Sequence, residues 1–391
     1  MKNMLLNQNL KITFICLFIL FFVISIICFY QMKMTKELFE NAETSTVNMY
    51  KLTTEAPTLS YKIGSGEIGL PWTDIMQEFM NFRIENDYQK SNFILFDSLN
   101  YVDKYMLDLI PPGTLGSKWI NGLNGTDELA GKGSLAKYMV TSQFIPKSFG
   151  INNGKNTFQD FKNKFYEHGK IYIFKKNIQR QQGIKISNDL NEIQSFFSDP
   201  EFVICQELLQ DPAIVDGRKI NLRIYMLVVV RGDGKTEIHI YNNGFIYYTV
   251  NPWAPNSVSL GSNITTGYID RQVYVDNPLT VQELISSGKT SLTFDSIKKT
   301  CTELAGVYAP IFTKANKGIF GDATKFQIFG CDIAPSADNK CYIMEVNKGP
   351  DLSYKDARDR ALKLGMIKDM LKVIKALPQS SGEKNGFIKV I

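Results

Sequence analysis

The chain has 391 residues, of which 44% are hydrophobic, so it can bury one large core or two of medium size. Its formal net charge of +5 is small for this length and comes from cations scattered among acids, which indicates no nucleic-acid-binding surface. Because the chain has only two histidines, histidine-rich metal sites and a serine–histidine–aspartate relay are poorly supported.

The first predicted element is an uncharged apolar run over residues 12–30, which follows a short tail over residues 1–11. As a helix this run would extend roughly 28 Å, close to the hydrocarbon thickness of a bilayer. It is longer than the apolar region of a secretory signal peptide, which is the alternative interpretation. The run therefore predicts a transmembrane helix and a single-pass membrane protein, with residues 31–60 as a stem.

The remaining chain predicts an α+β fold. Residues 61–165 have a mixed, mainly helical pattern and are expected to form a smaller N-terminal lobe. Residues 166–377 are richer in β-branched and aromatic runs, which favour strands, and a tail follows over residues 378–391. The elements predicted in this larger part are strands at 170–174, 202–206, 219–230 and 237–241, a helix at 295–312, a hairpin of strands 326–334 and 341–347, and a helix at 355–377.

Turn signals separate several of these strands. The segments 231–234 and 242–244 are rich in Gly, Asn and Asp, so both are predicted to turn the chain between antiparallel strands. The late hairpin is predicted to turn near residues 337–338. The sheets are therefore expected to be antiparallel, with helices packed against them.

A first candidate site lies on the strand 219–230. Strand alternation places Lys219, Asn221 and Arg223 on one face and apolar residues on the other. Two cations this close are unfavourable unless an anion lies between them, and a polyphosphate would supply that charge. The alternative is an ordinary solvated face of an antiparallel sheet.

A second candidate site lies on the late hairpin. Glu345 and Asn347 project on one side of their strand, and Asp332 on the partner strand can reach them. Oxygen ligands of this kind suit Mg²⁺ that bridges nucleotide phosphates. The alternative is a set of acids that accept hydrogen bonds from backbone amides at a strand end.

The segments 203–230 and 326–352 resemble the core motifs of tubulin-tyrosine-ligase-like enzymes, in order and in spacing. Residues 127–136 and 144–146 resemble the part of the family that leads into that core. The resemblance implies that residues 166–377 form an ATP-grasp catalytic core that uses ATP and Mg²⁺. A need for ATP would place this core in the cytosol.

The resemblance also implies roles for individual residues. Lys219 and Arg223 would be catalytic and would contact phosphates, while Asp332, Glu345 and Asn347 would bind magnesium. The residues implied in nucleotide binding are Lys132, Lys175, Arg180 and Gly183 of the loop 180–184, Gln206, Glu207, Leu208, Leu209, Lys219, Asn221 and Arg223.

Some positions depart from the family pattern. Asn221 stands where the family has an acid, Gln181 where it has a loop glycine, and Tyr247 where it has an arginine. Asn263 and Thr266 replace a histidine and an asparagine. Because a tyrosine cannot pair with a substrate carboxylate as an arginine does, these departures concern substrate choice.

The function that the resemblance implies is an ATP-dependent carboxylate–amine ligase, which attaches Glu, Gly or Tyr to a protein acceptor through an acyl-phosphate. Tubulin is one candidate acceptor, the amino acid is free in solution, residues 12–30 would contact the membrane, and no nucleic acid is involved. Two alternatives stay open. One is a catalytically silent, membrane-anchored protein that binds nucleotide and docks a partner, and the other is an ATP-grasp ligase of a small metabolite.

Overall fold

The computed structural model describes residues 60–63, 83–84, 92–95, 119–151, 157–177, 183–267, 269–318 and 323–391. The segment 12–30, almost all of the stem and Arg180 lie outside these residues. The described part has the mixed α+β architecture that the sequence predicts.

The described strands are β1 (Ser60–Ile63), β2 (Arg83–Ile84), β3 (Phe93–Leu95), β4 (Trp119–Asn121), β5 (Ser148–Gly150), β6 (Tyr172–Lys176), β7 (Ile184–Ser187), β8 (Phe202–Glu207), β9 (Ile214–Val215), β10 (Arg218–Val230), β11 (Thr236–Thr249), β12 (Thr265–Thr266), β13 (Thr324–Pro335), β14 (Cys341–Asn347) and β15 (Phe387–Lys389). The described helices are α1 (Thr126–Ala130), α2 (Lys132–Tyr138), α3 (Phe158–Lys164), α4 (Leu190–Phe197), α5 (Leu260–Asn263), α6 (Val273–Asp276), α7 (Val281–Ser287), α8 (Phe294–Asn316) and α9 (Ala357–Val373).

The described strands form two sheets. The larger has the order β12-β11-β10-β13-β4-β3-β1-β2, with β14 beside β13, β15 beside β11 and β9 beside β10. Its central strands are antiparallel, whereas β4 pairs in parallel with both β13 and β3. The smaller sheet has the order β5-β8-β6-β7 and is antiparallel throughout.

The middle strand β10 explains how the larger sheet forms both a core and a cleft. From Ile224 to Val230 every residue is buried, because β11 and β13 flank the strand and apolar side chains cover both faces. Nearer its start, buried Ile220 and Leu222 alternate with the half-buried Asn221 and Arg223. The polar face of this first half is therefore available to line a cleft.

The predicted turn at 242–244 is wrong, because these residues continue β11. Ile224 of β10 pairs with Gly244, yet Met226 pairs with Ile240, so the extra residues of β11 are absorbed in a bulge. A Cβ atom on Gly244 would collide with the backbone carbonyl oxygen of Arg223. The glycine allows a close strand approach rather than a reversal of the chain.

The other predicted turns are confirmed. Gly234 donates a hydrogen bond to the carbonyl of Arg231 at 2.8 Å, which closes the turn between β10 and β11. Ser336 similarly donates to the carbonyl of Lys340 at 2.8 Å, between β13 and β14, and Asn339 in this turn has a positive φ of 65°.

Helix α8 matches the predicted amphipathic helix. Its N-cap Thr293 accepts a hydrogen bond from the backbone of Ser296, and its buried face packs into the core of the larger sheet. The opposite face carries charged residues, among them Asp295, Lys298 and Glu303. At 23 residues it is long enough for a bilayer, but these charges exclude it from one.

The predicted single-pass membrane localisation is contradicted. Within the described ranges, no helix combines the length and the unbroken apolar character that a membrane span needs. The segment 12–30, from which the prediction was made, lies outside the described residues.

Each sheet has its own main hydrophobic cluster, and a small third cluster packs Ile173 and Ile186 of the smaller sheet with Ile264, which directly precedes β12 of the larger sheet. The smaller sheet packs around Phe161, Tyr172 and Phe174 with Phe196 of α4, whereas the larger sheet shares one extensive core with α8 and α9. The predicted domain limits at residues 60, 165 and 377 stay predictions.

Candidate active site

Three adjacent strands bring a cation and two acids into line. Arg223 of β10 pairs in register with Asp332 of β13, which in turn pairs with Glu345 of β14. Arg223 donates two hydrogen bonds to Asp332, from Nε to Oδ1 at 2.6 Å and from Nη2 to Oδ2 at 3.1 Å. Burial alone would lower the pKa of Arg223, but Asp332 raises it above its ordinary value. Asp332 therefore keeps the buried guanidinium of Arg223 protonated.

The three predicted metal ligands lie side by side. Asn347 donates from Nδ2 to Asp332 Oδ2 at 3.2 Å, and Glu345 is the cross-strand partner of Asp332. A bulge between the pairs Asp332–Glu345 and Ile333–Ile343 leaves Met344 as the extra residue of β14. Two carboxylates and an amide form a hard oxygen donor set, which suits a Mg²⁺ ion that also binds phosphates. The described residues contain no group of three or more acids, histidines or cysteines placed to hold a metal alone.

Two lysines from different sheets share this region. Lys219 of β10 and Lys175 of β6 are each buried, with 3% and 6% of their surface exposed. Burial lowers the pKa of Lys175 to about 8, which Lys132 reinforces, while Glu345 and Asp332 oppose it. Burial and the charge of Lys175 lower the pKa of Lys219 to about 8. Lys175 of the smaller sheet therefore lies close enough to Lys219, Asp332 and Glu345 of the larger sheet for their charges to interact.

Gln206 fixes the position of Lys175. Its Oε1 accepts a hydrogen bond from Lys175 Nζ at 2.6 Å, and its Nε2 donates to the hydroxyl of Ser148 at 2.8 Å. Ser148 lies directly opposite Gln206 in the register of β5 and β8. The sequence analysis missed Ser148, since a single serine in a short edge strand has no distinguishing pattern.

A pocket adjoins these residues between β8, α2 and β14. Its walls are mainly aliphatic, with two lysines and a glutamine at the polar side, but its volume of about 10 Å³ is close to that of one water molecule and is too small for a heterocyclic base. It is lined by Lys132, Leu135, Ala136, Ile145, Lys175, Ile204, Gln206, Ile343 and Met344.

The residues predicted to form the adenine hinge point in different directions. Leu208 is buried with Ile171 and Ile173, and its backbone N–H donates to the carbonyl of Ile171 at 2.8 Å. Leu209 and Glu207 instead line a neighbouring opening, where Glu207 also pairs with Lys170 at 2.5 Å. The contact of both leucines with a base stays a prediction.

Gly183 begins the described part of the predicted phosphate-binding loop. Its φ is +68°, and a Cβ atom there would lie 2.8 Å from the Lys176 side chain. Lys176 also donates its backbone N–H to the carbonyl of Gly183 at 3.0 Å. Arg180 and Gln181 lie outside the described residues.

Gly330 is a second residue that the sequence analysis missed. A Cβ atom at this position would lie 2.9 Å from Cδ of Arg223 and 3.0 Å from Cβ of Pro350. The glycine therefore creates the space through which the Arg223 side chain reaches Asp332. A glycine inside a strand was the available signal, because such residues commonly mark close approaches.

The two departures Asn221 and Tyr247 are cross-strand partners on β10 and β11. The ring centre of Tyr247 lies 5.3 Å from Cζ of Arg223, within the range of a cation–π contact. Burial raises the pKa of Tyr247 to about 12, although Arg223 opposes the shift, so the phenol is neutral near pH 7. The cleft is thus bordered here by an uncharged amide and an uncharged phenol.

Residues 263 and 266, which also differ from the family pattern, lie at the edge of β11 opposite β10. Thr266 pairs with Tyr248 and Thr265 with Thr249, which forms the short strand β12. The Asn263 side chain donates to the carbonyls of Ser257 and Ser259, at 2.7 and 2.9 Å. In this chain Asn263 therefore stabilises a local turn.

Comparison with known proteins is consistent with this site. The sequence model of the "Tubulin-tyrosine ligase family" matches residues 123–265 and 272–384, more than half of the chain. The chain is 22% identical over 344 residues to a "Probable beta-tubulin polyglutamylase" of Tetrahymena thermophila, an alignment that covers 78% of the chain and 28% of that protein.

Two further relatives belong to animals. A tubulin polyglutamylase of Mus musculus is 24% identical over 284 residues, which cover 65% of the chain and 34% of that protein. A protein polyglycylase of Macaca fascicularis is 23% identical over 172 residues, which cover 41% of the chain and 27% of the relative. The chain therefore spans about a third or less of the length of these three relatives. The predicted resemblance is confirmed: this chain belongs to the tubulin-tyrosine ligase family.

Proposed function

We propose that this chain is an ATP- and Mg²⁺-dependent ligase with an ATP-grasp core, which joins an amino acid (Glu, Gly or Tyr) to a carboxylate of a protein acceptor. Tubulin is the first candidate acceptor, since relatives at 22% and 24% identity are named tubulin polyglutamylases. The observation that supports the proposal best is the strand register that sets Arg223, Asp332 and Glu345 side by side, with Asn347 hydrogen-bonded to Asp332.

The basic residues are suited to a polyphosphate. The pKa of about 8 leaves Lys175 and Lys219 mostly protonated near pH 7, and phosphates that lie between them would stabilise this charge, because an anion favours the protonated form. Lys132 enters the same pocket from the first turn of α2. We therefore assign Lys132, Lys175, Lys219, Arg180, Gly183 and Asn221 to nucleotide contacts, with Gln206, Glu207, Leu208 and Leu209 beside the base.

The ion pair between Arg223 and Asp332 is expected to open during the reaction. Arg223 would move to the reacting phosphoryl group when the acids Asp332 and Glu345, together with Asn347, hold a magnesium ion. When bound, the ion would neutralise phosphate charge during the transfer. Arg223 and Lys219 would stabilise the negative charge on the reacting oxygens, which is the main work of the protein in such a reaction.

The reaction has two steps. A carboxylate oxygen of the acceptor takes the γ-phosphoryl group of ATP, which forms an acyl-phosphate and releases ADP. The amine nitrogen then attacks the acyl carbon, a C–N bond forms, the C–O bond to phosphate breaks, and phosphate leaves with the bonding electrons. No side chain of the protein becomes covalently attached, so none of its cysteines or serines is needed as a nucleophile.

One experiment tests the whole scheme. The full chain is incubated with Mg-ATP, single labelled amino acids and candidate proteins, and ADP and protein-bound label are followed together. Equal amounts of ADP and protein-bound label support the proposal. ADP formed while label enters only small molecules would favour a metabolite ligase, and nucleotide binding without turnover would favour a silent docking protein.

A further inference from the structure

A series of hydrogen bonds links the buried Lys175 to the backbone at Pro146. Lys175 Nζ donates to Gln206 Oε1 at 2.6 Å, and Gln206 Nε2 donates to Ser148 Oγ at 2.8 Å. The hydroxyl of Ser148 donates in turn to the carbonyl oxygen of Pro146 at 2.7 Å. The series crosses the smaller sheet, because Lys175 lies on β6, Gln206 on β8 and Ser148 on β5.

The groups at the two ends give this series a single direction. A lysine ammonium can only donate hydrogen bonds, and a carbonyl oxygen can only accept them. The amide of Gln206 must therefore turn its oxygen to Lys175 and its nitrogen to Ser148. Ser148 can accept from that nitrogen because the hydrogen of its hydroxyl is directed to Pro146. A reversed amide would set its NH₂ group against the ammonium of Lys175.

The amide of Gln206 is shielded from water that could replace these partners. Gln206 and Lys175 each have 6% of their surface exposed. A buried amide that loses its hydrogen-bond partner is destabilised by more than the bond itself contributes. Removal of the Ser148 hydroxyl would therefore leave a buried donor unsatisfied, or would allow the amide to rotate away from Lys175.

The segment 144–148 is held by the larger sheet at one end and by the smaller sheet at the other. The carbonyl of Phe144 accepts a hydrogen bond from the backbone N–H of Ile343 in β14, at 2.7 Å. The carbonyl of Lys147 accepts from the backbone N–H of Glu207 in β8, at 2.9 Å. The hydrogen-bond series therefore starts from a piece of backbone that both sheets keep in place.

Lys175 is a side chain that needs such a fixed acceptor. Its ammonium lies at the end of a flexible four-carbon stem, which has no preferred direction of its own. Lys132 lines the same small pocket and carries a charge of the same sign, so the two ammonium groups repel each other. The oxygen of Gln206 opposes this repulsion and keeps the Lys175 ammonium at one place.

We propose that Ser148 is a positioning residue of the ligase: it fixes the amide of Gln206, which thereby holds the Lys175 ammonium where it contacts a phosphate of the nucleotide. The inference rests on the proposed function for the identity of that phosphate ligand. Ser148 contacts neither the nucleotide nor the acceptor in this scheme, and its effect reaches the site through Gln206 and Lys175.

A matched pair of variants isolates the hydroxyl. Ser148→Thr keeps it, whereas Ser148→Val has nearly the same shape without it, so the steric effect of the added methyl is common to both. Binding of a non-hydrolysable ATP analogue with Mg²⁺ to the full chain is measured for each. We expect Ser148→Val to bind the analogue about tenfold or more weakly than Ser148→Thr, the effect of losing one buried hydrogen bond. Equal affinities would overturn the proposal.

A double-mutant cycle tests whether the serine acts through the lysine. The unfolding equilibrium constant is measured with urea, without nucleotide, for the natural chain, Ser148→Ala, Lys175→Met and the double variant. We expect the effect of Ser148→Ala on this constant to shrink by about threefold or more in the Lys175→Met background, because residues of one hydrogen-bond network are coupled. Additive effects would show a merely structural serine and would overturn the proposal.

Ser195→Ala is the control for both measurements. Its hydroxyl also donates to a backbone carbonyl, that of Glu192 at 2.6 Å, but it is exposed on α4. This variant should bind the ATP analogue as the natural chain does, and its effect on unfolding should be the same with and without Lys175→Met. A loss of affinity as large as that of Ser148→Val would contradict a specific role of Ser148.

The two proposals fail in different ways. A difference between Ser148→Thr and Ser148→Val in nucleotide affinity, without label transfer to any protein, would contradict the ligase function and leave the positioning role intact. Label transfer to protein with equal nucleotide affinity in these two variants would support the ligase and contradict the role of Ser148. Absence of any nucleotide binding would contradict both.

Discussion

Arg223 and Asp332 face each other on neighbouring strands and form two hydrogen bonds, of 2.6 and 3.1 Å, at the centre of the cleft. This geometry needs the planar guanidinium, since a lysine ammonium cannot match both carboxylate oxygens. We therefore expect Arg223→Lys to reduce the rate of ADP formation by about 10- to 100-fold, the effect of losing one charge-assisted hydrogen bond.

The matched control is Arg231→Lys at the other end of β10. Arg231 also donates to an acid, Glu237, at 3.1 Å, but it lies outside the cleft. The control should form ADP within about twofold of the natural protein, because it changes no group near the reacting atoms. A wild-type rate for Arg223→Lys would contradict the role of Arg223.

Glu345→Gln tests the metal site. The change preserves shape and removes the charge that a divalent ion requires, so ADP formation should be abolished while the fold persists. ADP release at increasing Mg²⁺ and thermal unfolding measure the two effects. Glu192→Gln, at an exposed position on α4, is the control and should have no effect. Unchanged turnover in Glu345→Gln would refute the metal assignment.

Gly330→Ala should impair the site by displacing the Arg223 side chain, while every charged group of the site is kept. The added methyl would lie 2.9 Å from Arg223 and 3.0 Å from Pro350, so the Arg223 side chain must move. We expect a loss of stability of about 1–3 kcal/mol and slower ADP formation, from thermal unfolding and kinetics of the same preparation.

Gly306→Ala provides the comparison for that variant. A Cβ atom on this helical glycine of α8 would meet nothing within 4 Å. The change should therefore stabilise the protein by roughly 0.5–1 kcal/mol and leave ADP formation unaltered. Equal effects of the two alanine substitutions on activity would contradict the steric argument.

Nucleotide affinity should fall as the pH rises through about 8, which is the pKa that burial gives Lys175 and Lys219. Bound phosphates favour the protonated lysines, so binding above this pH must take up protons, at a cost of up to about tenfold in affinity per pH unit for each proton. Titration with an ATP analogue between pH 7 and pH 9.5, in buffers of different ionisation heat, would detect the uptake.

In the protein without nucleotide, stability should rise over the pH range in which nucleotide affinity falls. A lysine in the unfolded chain titrates near 10.5, whereas these two titrate near 8, so the unfolded state holds more protons in between. The free energy of unfolding should therefore increase from about pH 8 to about pH 10.5. Lys325, also buried with its pKa lowered to about 8, lies at the far end of β13. Lys325→Met should alter this stability profile but not the pH dependence of nucleotide affinity.

Local patterns were sufficient to predict which of several candidate residues lie next to each other. Alternation in one strand grouped Lys219 with Arg223, and the late turn placed Asp332 opposite Glu345. Both relationships follow from the period of a strand and from one short turn. They depend on no contact between segments far apart in sequence.

The remaining features depend on register between distant segments. Nothing in the local sequence shows that Asn221 faces Tyr247 or that Ser148 faces Gln206, because each pairing is fixed by the whole sheet. The Asn-Asn-Gly segment was misassigned for the same reason: its turn chemistry is real, but strand pairing on both sides holds it extended. The membrane prediction used hydrophobic length alone, and no described helix satisfies it.

The nucleotide-contacting candidates come from two sheets whose main hydrophobic clusters are separate. A smaller cluster packs Ile173 of β6 and Ile186 of β7 with Ile264 beside β12, so we expect β6 to β8 to open locally at a lower free energy than global unfolding. A nucleotide that contacts both Lys175 and Lys219 would hold the two sheets together. Amide hydrogen exchange in β6, β7 and β8 should then slow markedly on nucleotide binding, while that of β10 and β13 stays the same.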